Sequence, residues 1–436
     1  MSDLRQAVDP RSLLYSRLGR GSPAVRRPLL AWGTRDRKTH IVFWVLVALA
    51  TCLALVIGAG IIGDLLGAVG AHADTLFLFW TWSKFLHAVA SAALIYDPHA
   101  LFAFERSIIT RHAHYLPFAY PPSMLLLIWP LALLRPAIAL PVWFGVSLAA
   151  YVGACWRRSC GPLIATLAVV SPSTLAALYY GQVSLLVAAC IIGGCRLVGR
   201  RPILAGVLFG LAAVKPQIGL LVPVALISAR QWRSVIAAAT TVGLTVVASS
   251  MAFGWTTWAR LPAALATVSG VVAQRAVYDT LSPTVSAACR LLGAGPALTD
   301  AAQLIAAVAT VGVIWIVFRR GFTSLGVAAL AVGAFFVTPY AVYYDLPLAS
   351  YAVLAVVIER HESRASFGTG ELCTLILAIA LPVLMLFHPF WWPWGIGVPA
   401  LLFGLILRRR AARGRDDRAL AAAAFGRGSG APAVGV

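Results

Sequence analysis

Long apolar runs alternate along this chain with short polar segments carrying Arg, Tyr-Pro or Lys-Pro, and the apolar positions within the runs show no two-residue alternation. Such runs predict membrane-spanning helices, because a helix satisfies all its own backbone polar groups inside a bilayer. About twelve spans follow: 41–63, 140–154, 163–178, a fourth ending at Arg196, then 203–214, 218–227, 234–253 and one ending at Arg319-Arg320. The last four meet Thr338-Pro339-Tyr340, Asp345, His388-Pro389 and Arg408. The fold class is all-α, a polytopic transmembrane helix bundle.

Three stretches break the rhythm. Residues 123–134 are apolar but short, between Tyr120-Pro121-Pro122 and Arg135-Pro136, and read as a re-entrant or tilted element. The arms 203–214 and 218–227 are each shorter than the roughly 20 residues of a full crossing. Their tip, Lys215-Pro216-Gln217, is therefore expected within the membrane's thickness. Residues 74–93, read as a helix, place Phe79, Trp82, Phe85, Leu86, Val89 and Ala93 on one face and Asp74, Thr81, Lys84, His87 and Ser91 on the other. That pattern suits a helix lying in a membrane interface, or a packed loop over a bundle.

Composition agrees with this reading. The chain is 60% hydrophobic and 11% charged, against about 25% charged in soluble domains. Its net charge of +20 raises the question of nucleic acid, and the placement of the charges answers it. Nine Lys/Arg precede residue 41, seven follow Leu407, and most others sit in short loops. With both ends inside, the tails and the loops at Arg157, Arg200, Arg230, Arg319 and Arg360 hold 27 of the 35 basic residues. That is a topology signal, and no nucleic-acid partner is expected.

The domain reading is a basic cytoplasmic tail (1–40), a membrane domain (41–408) with outer loops at 64–122 and 254–296, and a disordered cytoplasmic tail (409–436). The first tail is too long and charged for an ordinary cleaved leader. A multi-pass protein of a bacterial plasma membrane, with both termini cytoplasmic, is expected. The seven cysteines show no metal or disulfide spacing; six lie in or at the ends of apolar runs, as small core residues do, and Cys289 stands alone in the second outer loop.

Ionisable groups at membrane depth are costly, so they mark function or pairing. Lys215, followed by Pro216, is either a cation that holds an anion such as phosphate or a lysine snorkelling or paired with a carboxylate. Gln182 beside Gly181 is placed to bond a sugar or to cap two helices. Asp74 is a candidate general base toward a hydroxyl. Asp64 and Asp279 are the carboxylates next in line for that role. No phosphate-binding Gly-rich loop, dinucleotide fingerprint or zinc spacing exists, and His112 and His114 are weak as ligands. No metal and no cofactor are expected.

Several motifs then fall in a familiar order. Asp74 precedes Phe79-Trp80 and Tyr96-Asp97; Tyr120-Pro121-Pro122 precedes an apolar run; Gly181-Gln182 opens a span. Ala205-Gly206 to Gly210 leads to Lys215-Pro216-Gln217, and Thr338-Pro339-Tyr340 precedes Tyr344-Asp345. From about 74 to 348 the chain resembles glycosyltransferase family 87, polyprenol-phosphate-sugar-dependent membrane enzymes of GT-C type. The resemblance implies a lipid-phosphate sugar donor, a mannose or other hexose or a pentose, and a lipid or glycan acceptor at the outer face, in contact with membrane lipids. It implies Asp74 as catalytic base, Lys215, Gln182, Tyr344 and Asp345 near the donor phosphate, and Lys84, Tyr120, Gln217 and Tyr340 lining the substrate. Members acting on phosphoinositides carry paired histidines where Tyr344 and Asp345 stand. Transfer would be a single, inverting displacement. Two other classes compete: a secondary transporter with an anion site at Lys215, although no second broken hairpin is found, and a non-catalytic scaffold.

Overall fold

The computed structural model describes residues 77–108, 117–156, 161–274, 276–363, 367–387 and 394–428. The span expected at 41–63, and Asp64, His72, Asp74, His112, His114 and His388, lie outside them. The described residues are helical throughout, without strands.

The stretch expected as the first outer loop folds into α1 (Leu78–Ala88), a 3-10 turn (Ala92–Tyr96) and α2 (Pro98–Ile108). The expected helix over 74–93 thus ends at Ala88. Its apolar face does not lie in lipid. Phe79, Trp82 and Phe85 are buried, together with Thr81, which the periodicity placed on the polar face. The reason is an aromatic core: Phe79 packs edge-on against Trp82, Tyr120 and Trp143, and Trp82 against Phe118. The Trp82 indole donates to the buried Glu105 carboxylate on α2 (3.0 Å). Asp97 caps α2, its carboxylate accepting from His99 and Ala100 (both 2.9 Å).

Short α3 (Ser123–Ile128) continues into a 3-10 turn (Trp129–Leu133). The Ser83 hydroxyl on α1 donates to the Trp129 carbonyl (2.8 Å) and accepts from the Ala132 amide (2.9 Å). The short apolar element of the sequence is thereby tied to α1.

Helix α4 (Pro136–Cys155) runs to the far end. The chain returns through α5 (Gly161–Val170) and α6 (Pro172–Tyr179), broken at Ser171-Pro172, where Ser171 and Ser173 bond Ser350 (3.0 and 2.7 Å). Helix α7 (Ser184–Leu197) descends beside α4. Next come α8 (Pro202–Leu211) with its 3-10 end, α9 (Pro216–Gly219) and α10 (Leu221–Ser228), close to the two expected arms.

Helix α11 (Trp232–Phe253) runs parallel to α8, since Gly206 faces Ser234 and Ala237 while Gly210 faces Ala238 and Thr241. A methyl added at Gly206 would stand 2.5 Å from the Ala237 Cβ, and one at Gly210 2.5 Å from the Thr241 Cβ. The two glycines, four apart, let the backbones touch, as small residues do between membrane helices. Because α8 and α11 start at the same end, α9–α10 must come back between them, which makes 202–228 a hairpin with Lys215 at its tip.

The stretch read as a second outer loop contains a 20-residue helix, α12 (Trp255–Gln274), then α13 (Ala276–Thr280) and α14 (Val285–Leu291). The buried Asp279 is held by Arg290 (2.6 and 2.8 Å). The remainder is α15 (Pro296–Phe318), α16 (Ser324–Val337), α17 (Pro347–Ser363), α18 (Thr369–Phe387) and α19 (Trp394–Gly428). Where composition suggested a disordered tail from 409, α19 continues to Gly428. Arg409 pairs with Glu359 and Glu371, and Arg360 with Glu371 (2.8 Å). By length and composition α4, α11 and α15 are able to cross a membrane; most other apolar helices are shorter.

Candidate functional site

Lys215 stands where the helix must stop. Pro216 lacks an N–H and disfavours helical backbone in the residue before it, and Lys215 is held at φ −133°, ψ 72°. The side chain leaves the break into the protein rather than lipid, 4% exposed. It forms an ion pair with Asp345, whose side chain is 1% exposed. The ammonium also bonds the Ser184 hydroxyl (3.3 Å) and lies 5.0 Å from the ring centroid of Tyr344. Lys215 is thus paired with a carboxylate rather than snorkelling to a surface.

Three turns converge to make this cluster. Asp345 ends the 3-10 turn Tyr343–Asp345, and its second carboxylate oxygen accepts the Val342 amide (3.1 Å). That turn is fixed from outside by the Tyr343 amide, which donates to the Leu281 carbonyl (2.9 Å). Ser184 opens α7, and its hydroxyl donates to the same Asp345 oxygen as Lys215 (2.5 Å). The turn before it explains Gly181-Gln182. Gly181 at φ +59° lets its amide reach the Leu178 carbonyl and the Gln182 amide reach that of Ala177, a Schellman end to α6.

Gln182 is buried and accepts from the Tyr120 hydroxyl (2.9 Å), while its amide donates to the Tyr180 carbonyl (3.2 Å). The Trp143 indole donates to the Gly181 carbonyl (2.9 Å), and the Tyr96 hydroxyl to that of Tyr120 (2.6 Å). The aromatic core around α1 is thus fastened to the Gly-Gln turn, and through Ser184 to the Lys215–Asp345 pair. Tyr180 meets Tyr343 and Tyr344 at 5.6 and 5.9 Å between ring centroids. Thr338 turns the chain by bonding both the carbonyl (2.7 Å) and the amide (3.2 Å) of Tyr340.

Of the residues singled out in the sequence, Lys215, Asp345 and Tyr344 come together directly, with Gln182 and Tyr120 one turn away. Gln217 follows on α9, half-buried. Lys84 stands apart: its ammonium lies over the ring of Trp80 (5.5 Å), whose indole is tied to the Leu134 carbonyl (3.1 Å). Asp74 lies outside the described residues. Ser184 was not anticipated; its only signal is its place directly after the Gly-Gln turn. Tyr96 and Asp97, read as part of a motif, serve as a fastener and a helix cap. Among the described residues no three His, Cys, Asp or Glu side chains gather as metal ligands.

The arrangement offers one buried cation, a carboxylate with two fixed partners, and hydroxyl and amide groups at the mouth of a helix hairpin. That set suits the recognition of an anionic, hydroxyl-rich group. No curated protein and no solved structure matches the chain. Residues 118–341 match the model of glycosyltransferase family 87, and the chain belongs to that family of membrane glycosyltransferases.

Proposed function

We propose that this protein transfers a sugar, a hexose such as mannose or a pentose, from a polyprenyl-phosphate donor to a lipid or glycan acceptor at the outer face of a bacterial plasma membrane. The observation that carries this reading is Lys215: a buried ammonium at the tip of a short apolar hairpin, where a polyprenyl chain in lipid would bring its phosphate. An ammonium has three N–H donors, and Asp345 and Ser184 occupy two. A phosphate added beside Asp345 would leave excess negative charge in a desolvated site, at a cost of several kcal/mol, on the order of that for an unpaired buried ion. The donor phosphate therefore takes the third N–H against the opposing charge of Asp345, which keeps its bonds to the Ser184 hydroxyl and the Val342 amide.

In the reaction the acceptor O–H gives its proton to Asp74, and the oxygen attacks the anomeric carbon. The bond from that carbon to the phosphate oxygen breaks, and its electrons leave on the lipid phosphate. Lys215 stabilises the charge gathering there. One displacement inverts the anomeric centre. The pathway uses no metal, in keeping with a sequence that lacks ligand spacing. About twelve crossings, both termini inside, place this cluster outside. The helix ends bearing Arg200, Arg230, Arg319 and Glu359 all lie opposite Lys215 and Tyr340, which supports that orientation.

The test uses purified protein in lipid with radiolabelled polyprenyl-phosphate sugars and a total lipid extract. Wild type should yield labelled product; Asp74→Asn and Lys215→Ala should yield none. Equal product from Asp74→Asn removes Asp74 as base and turns attention to Asp64 or Asp279. Retained transfer in Lys215→Ala defeats the phosphate assignment.

A further inference from the structure

A cavity of about 790 Å³ opens where α15, the turn into α16 and α19 meet. Its polar wall is made by Arg319, Arg320, Arg410 and Arg415, its apolar wall chiefly by Ile316 and Leu407, and no lining residue is acidic. The 14-residue helix α16 separates it from Thr338, about 21 Å at 1.5 Å per residue, so it is remote from the Lys215 cluster.

The charge balance here differs from that of the neighbouring helix ends. Arg360, Arg409 and Arg413 are paired with Glu359 or Glu371. Among the described residues no ion pair includes Arg319, Arg320, Arg410 or Arg415. The described partners of Arg410 are neutral: the Thr323 hydroxyl (2.6 Å) and the Val317 carbonyl. Burial, and then the charge of Arg320, hold its guanidinium below its ordinary value, as expected of uncompensated positive charge. Ile316, by contrast, is 68% exposed on the outward side of an apolar helix long enough to span. Cations meet lipid-facing hydrocarbon within one cavity whose lining residues include no anion.

We infer that this cavity binds the phosphate headgroup of an anionic membrane phospholipid, with an acyl chain along Ile316, at the end of the bundle remote from sugar transfer. Four guanidinium groups match a phosphodiester, for which planar paired donors are suited. The apolar wall distinguishes a lipid from a free anion, and juxtamembrane basic clusters attract anionic leaflets.

Native mass spectrometry of the full-length protein, titrated with phosphatidylglycerol, phosphatidylcholine or inorganic phosphate, tests this. Phosphatidylglycerol should bind in preference to phosphatidylcholine, and millimolar phosphate should not displace it. The Arg319→Gln/Arg320→Gln pair should bind about 30-fold more weakly, roughly fivefold per guanidinium removed. Gly414→Asp is a second variant. A Cβ there stands 3.8 Å from an Arg320 nitrogen, so the new carboxylate would neutralise the wall. It should lose the lipid in the same way without removing an arginine. Equal affinity in wild type and both variants, or equal binding of phosphatidylcholine, overturns the inference. Occupancy by phosphate alone at the same level reassigns the cavity to a free anion and overturns the lipid.

Discussion

At the scale of single residues, the Lys215–Asp345 pair has a structural part and, in the proposed reaction, a functional one, and the two are separable by mutation. Lys215→Ala leaves a carboxylate 1% exposed without its cation, and should cost about 3–5 kcal/mol. Replacing both, Lys215→Met with Asp345→Leu, removes the uncompensated charge. Its stability should exceed that of the single variant, because no charge is left buried without its partner, and should stay below wild type, because the Val342 amide and the Ser184 hydroxyl lose their acceptor. Thermal unfolding should therefore distinguish the single from the double variant, while transfer is lost in both. Asp345→Asn should instead lower the donor KM, since the phosphate no longer meets the opposing charge of a carboxylate. Asp97 gives a pH signature at the start of α2. The amides of Ala100 and then His99 hold its carboxyl below the usual carboxylate range. A group with a depressed folded value stabilises above its unfolded value, near 4, and loses that contribution as pH falls. Asp97→Ala should cost about 1 kcal/mol at neutral pH and less in acid, measured by unfolding across pH 3–7.

At the scale of elements, the close approach of α8 and α11 rests on Gly206 and Gly210. Any side chain at Gly206 meets not only the Ala237 Cβ but also the Ser234 carbonyl at 2.6 Å, which is backbone and does not yield. Gly206→Ala should destabilise by roughly 1–3 kcal/mol, the usual range for overpacking, and shift Lys215 with the hairpin tip. Reduced melting together with reduced transfer would follow; unchanged values for both would show that the helices separate freely. The opposite sign is expected at Arg230. It holds φ +56° at the end of α10, where its amide and that of Gln231 close a Schellman turn. Arg230→Gly relieves a left-handed conformation and should stabilise by about 1 kcal/mol.

At the scale of the whole molecule, the all-helical character was legible because long apolar runs announce helices, and α4, α11 and α15 are long and apolar enough to cross a membrane. The two arms around Lys215 lie within about two residues of where the apolar runs placed them, since Arg201-Pro202, Lys215-Pro216 and Arg230 punctuate the chain on their own. The stretches expected as outer loops were harder to read. Thr81 looked polar in the pattern, yet it is buried, on a helix whose Phe79 and Trp82 pack against Phe118, Tyr120 and Trp143 from elsewhere in the chain. Helix α12 was hidden by Pro262 and Arg260 inside a mixed sequence. The partner of Lys215 lies 130 residues away, a distance at which no local pattern speaks. Sidedness rests on charge alone and is open to direct measurement. In a cysteine-free background, Leu292→Cys, 71% exposed beside α14, should react with an impermeant thiol reagent in intact cells. Ser363→Cys, exposed at the far end of α17, should react only after the membrane is opened. The arginine-bearing helix ends, the paired glutamates and the basic cavity all share the Ser363 end. Reversed labelling would therefore move the Lys215 cluster to the cytoplasm, out of reach of an outer-face acceptor, and would overturn the proposed reaction along with the topology.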